Sequence, residues 1–162
     1  MSDRLELRGP IGSWFVWRVQ QTEPVQLVAG GSGIVPLMSM VRSRASVRGA
    51  AAFRLLYSVR EAEAALYRDE LQALSNRDSA VSLTYAYTRA APPGWTRPPG
   101  RIDASLIAGT TWPARLEPTC YVCGPTLFVE SAASLLTACG HRPDRIRTER
   151  FGPTGERNEF EY

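Results

Sequence analysis

The sequence predicts an α/β fold, a doubly wound five-stranded parallel sheet with helices on both faces. Short runs rich in β-branched and aromatic residues alternate with longer stretches whose apolar residues recur at helical spacing. Turn signals separate them, most plainly the glycines that follow residue 29. The 162 residues, 44% of them hydrophobic, suit one domain with a packed core.

Taken in order, residues 14–19 (WFVWRV) alternate large apolar and polar side chains and read as a short strand or the closing piece of one. Residues 25–29 (VQLVA) read as a buried strand, which runs through GGSG into a helix with Ile34, Leu37, Met38 and Val41 on its core side. The grammar then repeats. Residues 53–59 (FRLLYSV) form a second strand, and residues 61–75 form an amphipathic helix that buries Ala65, Leu66, Leu71 and Leu74. Residues 81–87 (VSLTYAY) form a third strand, the Pro/Gly-rich residues 91–100 a surface loop, and residues 102–108 a short helix. Residues 119–122 are a fourth strand; residues 123–140 are a helix with Pro125 in its first turn and Gly140 past its end. Residues 145–151 (RIRTERF) close the sheet, and residues 153–162 read as a mobile tail.

Composition excludes several functions. All 19 basic residues are arginine, scattered without a basic run, so the net charge of +3 is no footprint for nucleic acid. Three cysteines (Cys120, Cys123, Cys139) make no disulfide framework and suit a reducing compartment. Cys120 and Cys123 have the spacing of half a zinc site, but no second pair exists and His141 is the only histidine, so no metal is expected. A thiol redox pair is disfavoured because Cys120 points from its strand into the core. No apolar stretch approaches a membrane span or a signal peptide, and a cytoplasmic protein is expected.

In open α/β sheets ligands bind beyond the carboxyl ends of the strands, so the turns there carry the functional reading. Gly30, Gly31, Ser32 and Gly33 join the first strand to a helix; glycines admit a phosphate close to the backbone, and the helix start offers free N–H groups. The same turn can be purely structural, and it is neither GxGxxG nor a lysine-bearing P-loop. Ser58, Arg60 and Arg89 lie at adjacent strand ends, where guanidinium groups and a hydroxyl suit a ribose 2′-phosphate; Ser58 can equally cap a helix and Arg60 can be solvated surface. Cys123 precedes Gly124 and Pro125 at a helix start, where a thiol is small and partly activated. Glu149 and Phe151 end the last strand.

In this order the features resemble the NAD(P)-binding domain of the ferredoxin-NADP reductase family. The matching segments are GGSGIVP at residues 30–36, YSVREAEAALYRDEL at 57–71, CGP at 123–125 and ERF at 149–151. GPIGSW at 9–14 is similar to the end of the family's preceding flavin domain. The resemblance implies that Gly30, Gly31, Ser32 and Gly33 cradle the pyrophosphate, with Ile34 and Pro36 also in the cofactor-binding motif. It implies that Ser58, Arg60 and Arg89 meet the adenosine ribose or its 2′-phosphate, and that Cys123, in a cofactor-binding motif with Gly124 and Pro125, lies beside the nicotinamide carbon that gives up hydride. Glu149 orients that ring or exchanges protons near the flavin, and Phe151 packs on the isoalloxazine. Arg60 and Arg89 favour NADP(H) over NAD(H), while Glu61 keeps NAD(H) open.

The implied activity is an NAD(P)H-dependent oxidoreductase module that passes hydride to FAD. Residues 1–20 read as the remnant of a flavin-binding domain and 21–152 as the nucleotide domain. With no room for the barrel, FAD binding by this chain alone is not expected. The expected partner is a flavin-binding domain or chain, or a second copy of this chain on an apolar face made by Trp14, Phe15, Trp17 and Phe151. The alternative is a nucleotide- or partner-binding module without catalysis.

Overall fold

A computed structural model describes residues 14–47 and 51–152. The tail at 153–162 and most of GPIGSW lie outside them.

Five strands form one sheet: β1 (Val25–Gly30), β2 (Phe53–Val59), β3 (Val81–Tyr87), β4 (Thr119–Pro125) and β5 (Ile146–Phe151). Their spatial order is β3-β2-β1-β4-β5, and every pairing is parallel. The chain thus winds outward from β1 in one direction, then returns to β1 and winds in the other. The reversal falls between β1 and β4, where connections leave on opposite faces and open a crevice at the carboxyl ends.

Both faces are covered. On one, α1 (Ile34–Ala45) and α2 (Arg68–Arg77) bury Leu37, Met38, Val41, Leu71 and Leu74 against Leu27, Phe53, Tyr57 and Tyr121. On the other, α3 (Ala104–Thr110) and α4 (Thr126–Ala138) bury Leu106, Ile107, Val129 and Leu136 against Val28, Leu56, Cys120 and Val122. β1 is buried along its whole length, as a strand covered twice must be.

Several elements differ from the sequence reading. Residues 14–19 are not a strand, because their backbone groups are used elsewhere. The Val16 carbonyl accepts from the Tyr121 hydroxyl and from Arg147, each at 3.0 Å, and a turn follows in which Gln21 N–H donates to Arg18 O. Trp17 is not part of an exposed apolar face. It is 7% exposed and meets Phe53 edge-on, which leaves Trp14 (58%) and Phe151 (39%) as the exposed aromatics of the expected four.

The helix expected over 61–75 is broken. A 3-10 turn spans Ala62–Ala64, Tyr67 takes a left-handed conformation with φ of 57°, and α2 starts only at Arg68. The Leu66 N–H donates to the buried Tyr57 hydroxyl instead of to a helical carbonyl, so Leu66 turns outward and is 46% exposed. α3 starts two residues later than expected, where the Asp103 carboxylate caps it by accepting from Leu106 N–H. Cys123, Gly124 and Pro125 belong to β4, and α4 begins after them.

Candidate functional site

A cleft of about 410 Å³ opens at the reversal point, lined by Gly30, Gly31, Ser32, Ser58, Val59, Arg60, Ala64, Thr88, Pro125 and Phe128. Its floor is the end of β1. Gly31 has φ of 53°, a left-handed conformation that a side chain resists, and Gly31–Gly33 form a 3-10 turn that leads directly into α1. A Cβ on Gly33 would fall inside the carbonyl of Cys123, so the turn can rest on β4 only as glycine.

Two helix starts converge here. Neither α1 nor α4 has an acidic residue in its first turn or a side-chain cap on its free N–H groups. Two uncapped, positive helix ends flanking a glycine turn make an anion cradle. The hydroxyl of Thr126, the first residue of α4, is buried without a partner among the described residues.

The remaining walls come from β2, β3 and α4. Ser58 is buried beside Gly30 in the ladder, while Arg60 is exposed at the cleft rim. The β2 and β3 chain ends stay paired beyond the sheet: Thr88 N–H donates to Val59 O at 2.8 Å and Arg89 N–H to Arg60 O at 2.9 Å. The two arginines are therefore neighbours, though only Arg60 lines the cleft, and Arg89 is exposed outside it. Phe128 lies over both glycine ends; a Cβ on Gly30 would sit 2.5 Å from its ring and one on Gly124 would sit 2.8 Å from it.

Ile34 is fully buried and anchors α1, and Pro36 is half-buried with its carbonyl accepting from Ser39. Neither lines the cleft.

Cys123, Glu149 and Phe151 stand along the same carboxyl edge. Cys123 pairs with Glu149 and Pro125 with Phe151 across β4 and β5. The thiol is not activated by its helix-proximal position. Burial, reinforced by the Glu149 charge, pushes it up to about 11, and a backbone hydrogen bond from Gly124 only partly opposes this. It is a small, buried, protonated side chain. Trp14, Phe15 and Phe151 are outside the cleft lining.

Cys120 points into the core as expected. Its sulfur lies 3.7 Å from His141 Nδ1, and burial pushes it up to about 12. No helix among the described residues is long and apolar enough to cross a membrane.

Sequence reasoning missed Val59, Ala64, Thr88 and Phe128 as cleft residues. Phe128 was hidden by its spacing, which fits the apolar periodicity of α4. Thr88 had a usable signal in its position between the third strand and Arg89.

The model for the oxidoreductase NAD-binding domain matches residues 27–134. A flavohemoprotein of Rhodopirellula baltica is 29% identical over 157 residues, covering 94% of this chain and 38% of its own. NADH-cytochrome b5 reductase 1 of Pyricularia oryzae is 31% identical over 149 residues, covering 87% of this chain and 46% of its own. The chain thus spans less than half the length of these relatives. The FAD/NAD-binding domain of a nitric oxide dioxygenase from Vibrio cholerae superposes with a TM-score of 0.74 at 23% identity, over 89% of this chain and 56% of that one. That likeness shows a shared fold. With the family match spanning the crevice, both flanking helix starts and all of the first four strands but Val25 and Gln26, the chain belongs to the oxidoreductase NAD-binding domain family.

Proposed function

We propose that this chain binds a pyridine dinucleotide across the β1–β4 crevice and presents its nicotinamide for hydride transfer to FAD. The observation that carries the reading is the pair of uncapped helix starts meeting at the Gly30–Gly33 turn, with Cys123 at the neighbouring strand end. The cradle fits the cofactor: its two helix starts are uncapped, and nothing lies within 4 Å of where a side chain on Gly31 would stand. The nucleotide supplies the hydride and the flavin accepts it.

The residues bind and orient. Gly30, Gly31, Ser32 and Gly33 hold the diphosphate, with α1 kept in place by Ile34 and Pro36. Ser58 and Arg60 meet the adenosine ribose, and Arg89 extends the positive rim. Cys123, Gly124 and Pro125 give the nicotinamide a flat, close seat, and a protonated thiol neither repels the ring nor competes for hydride. Glu149 orients the ring from β5. Phe151, exposed on the last residue of that strand, packs against the isoalloxazine of a flavin held by a separate domain or chain.

NADP(H) is the preferred nucleotide, because Arg60 at the cleft rim and Arg89 at the neighbouring strand end supply guanidinium groups for a 2′-phosphate. Glu61 opposes this, and the Pyricularia relative is named for NADH, so the two nucleotides are the arms of the test.

Calorimetric titration with NADPH and NADH should give binding that Gly31→Val weakens by about tenfold or more, since a β-branched residue resists φ > 0. Unchanged affinity would overturn the placement of the diphosphate. Arg60→Ala should weaken NADPH more than NADH; equal loss would assign the site to NAD(H). Retention of a flavin band after incubation with FAD and desalting would show that a separate flavin domain is unnecessary.

A further inference from the structure

A second cleft, of about 310 Å³, opens near the amino ends of β2 and β3, at the opposite edge of the sheet from the dinucleotide cleft. α3 is only seven residues long; it covers Leu56 and Ala86 and leaves the earlier part of both strands open. There Arg54 stands directly beside Ser82 in the parallel ladder, with Thr84 two residues on. Gly109, Thr110 and Trp112 line the cleft from the end of α3 and the loop beyond, and Ser79 from the turn before β3.

Arg54 is held in place before any ligand arrives. Its guanidinium lies over the Trp112 ring, 4.0 Å from the centroid, and donates to Thr111 O at 2.8 Å. The indole is fixed in turn, Nε1 donating to Val25 O and the Trp112 backbone N–H to the buried Gln26 side chain. A guanidinium carries five N–H donors, and Thr111 takes one. The rotamer freedom an arginine normally loses on binding is already gone here, which favours capture of an anion.

Arg54 is the one charged residue among the described residues that line the cleft. No carboxylate lines the cleft, and among the described residues Arg54 makes no ion pair. Asp78, next to Ser79, is engaged by Arg44 and by the Ala80 N–H. Two carbonyls of α3 accept hydroxyl hydrogen bonds: Leu106 O from Thr110 and Ile107 O from Thr111.

We infer that this cleft binds a phosphate group on the Arg54 guanidinium and the Ser82 and Thr84 hydroxyls, as a site separate from the dinucleotide cleft. Its size admits the free anion or a small phosphomonoester, and guanidinium with hydroxyls is the chemistry both share.

The test is an NMR titration of the chain at constant ionic strength, with inorganic phosphate in one arm and glycerol phosphate in the other. The Trp112 indole N–H and the Ser82 and Thr84 amides should shift and saturate. Tighter binding of the ester assigns the site to a phosphorylated small molecule, and equal binding assigns it to the free anion. Ser82→Asp sets a carboxylate beside Arg54 while leaving its contacts with Thr111 and Trp112 in place, and should weaken binding by about tenfold or more. Shifts confined to Gly31 and Ser32, a drift that does not saturate, or an affinity unchanged in Ser82→Asp would each overturn the inference.

Discussion

Cys123 on β4 and Glu149 on β5 are direct partners in the parallel ladder, so their side chains share a face at the carboxyl edge of the sheet. The carboxylate adds to burial in keeping the thiol protonated, with a pKa of about 11. Alkylation of Cys123 by iodoacetamide should therefore be slow at neutral pH and rise only towards that value, because the thiolate is the nucleophile. Glu149→Gln removes the repelling charge and should move the profile to lower pH. A profile rising near the ordinary value of 9.0, or one unmoved by Glu149→Gln, would contradict this account.

Alkaline stability follows from the same burial. Cys123, Cys120 and Tyr57 are raised from 9.0, 9.0 and 10.0 to about 11, 12 and 12, first of all by desolvation. Each holds its proton more tightly in the folded chain than in the unfolded one. Their contribution is therefore fully present below the unfolded values and is lost as pH rises from about 9 through the folded values. His141, lowered by burial, works in the opposite direction: its contribution is present above 6.5 and is lost as pH falls below it. Urea unfolding midpoints measured across pH should form a plateau between these limits. A midpoint that still rises above pH 9 would refute the assignment.

Gly33 and Gly109 offer a paired comparison. Alanine at Gly33 would drive its Cβ into the Cys123 carbonyl, a backbone atom that cannot swing away, and should cost about 3 kcal/mol or more. Alanine at Gly109, an exposed α3 position with open space around it, should stabilise by about 0.5 kcal/mol through helix propensity. Thermal unfolding of both variants checks the contrast.

Arg44 ties α1 to the start of β2 and to the turn before β3. Its nearly buried guanidinium donates to Ala51 O and at 2.9 Å to Asp78, whose own side chain is 37% exposed. Asp78→Asn leaves the buried cation without its counter-ion and should cost about 3 kcal/mol; Arg44→Met removes that cation and should cost less, about 1 to 2 kcal/mol. Chemical unfolding of the two variants gives the order, and the reverse order would mean that Asp78 contributes little.

The strands were legible from their runs of β-branched and aromatic residues, at the edges of the sheet as well as at its centre. β2 and β3 match their expected bounds, and β1 and β5 differ by one residue. Local periodicity failed where a tertiary contact overrode it. Tyr57 takes the Leu66 N–H and, together with left-handed Tyr67, breaks a pattern that reads as continuous helix. Trp17 looked like the edge of a lost interface but packs edge-on against Phe53, a partner 36 positions along the chain. The glycine turn, Ser58 and Arg60 were readable because each immediately follows or ends a strand. Phe128 was not, because core and cleft positions on α4 have the same apolar signature.

Since Gly33 contributes no side chain, the turn at the start of α1 rests directly on the main chain of β4 at Cys123. The span between the glycine turn and the Cys123 backbone is then a main-chain dimension, fixed by two hydrogen-bonded strands about 4.8 Å apart. Substitutions at the rim can change how firmly a ligand is gripped. The reach from one working end to the other stays constant, as a ruler built into the sheet.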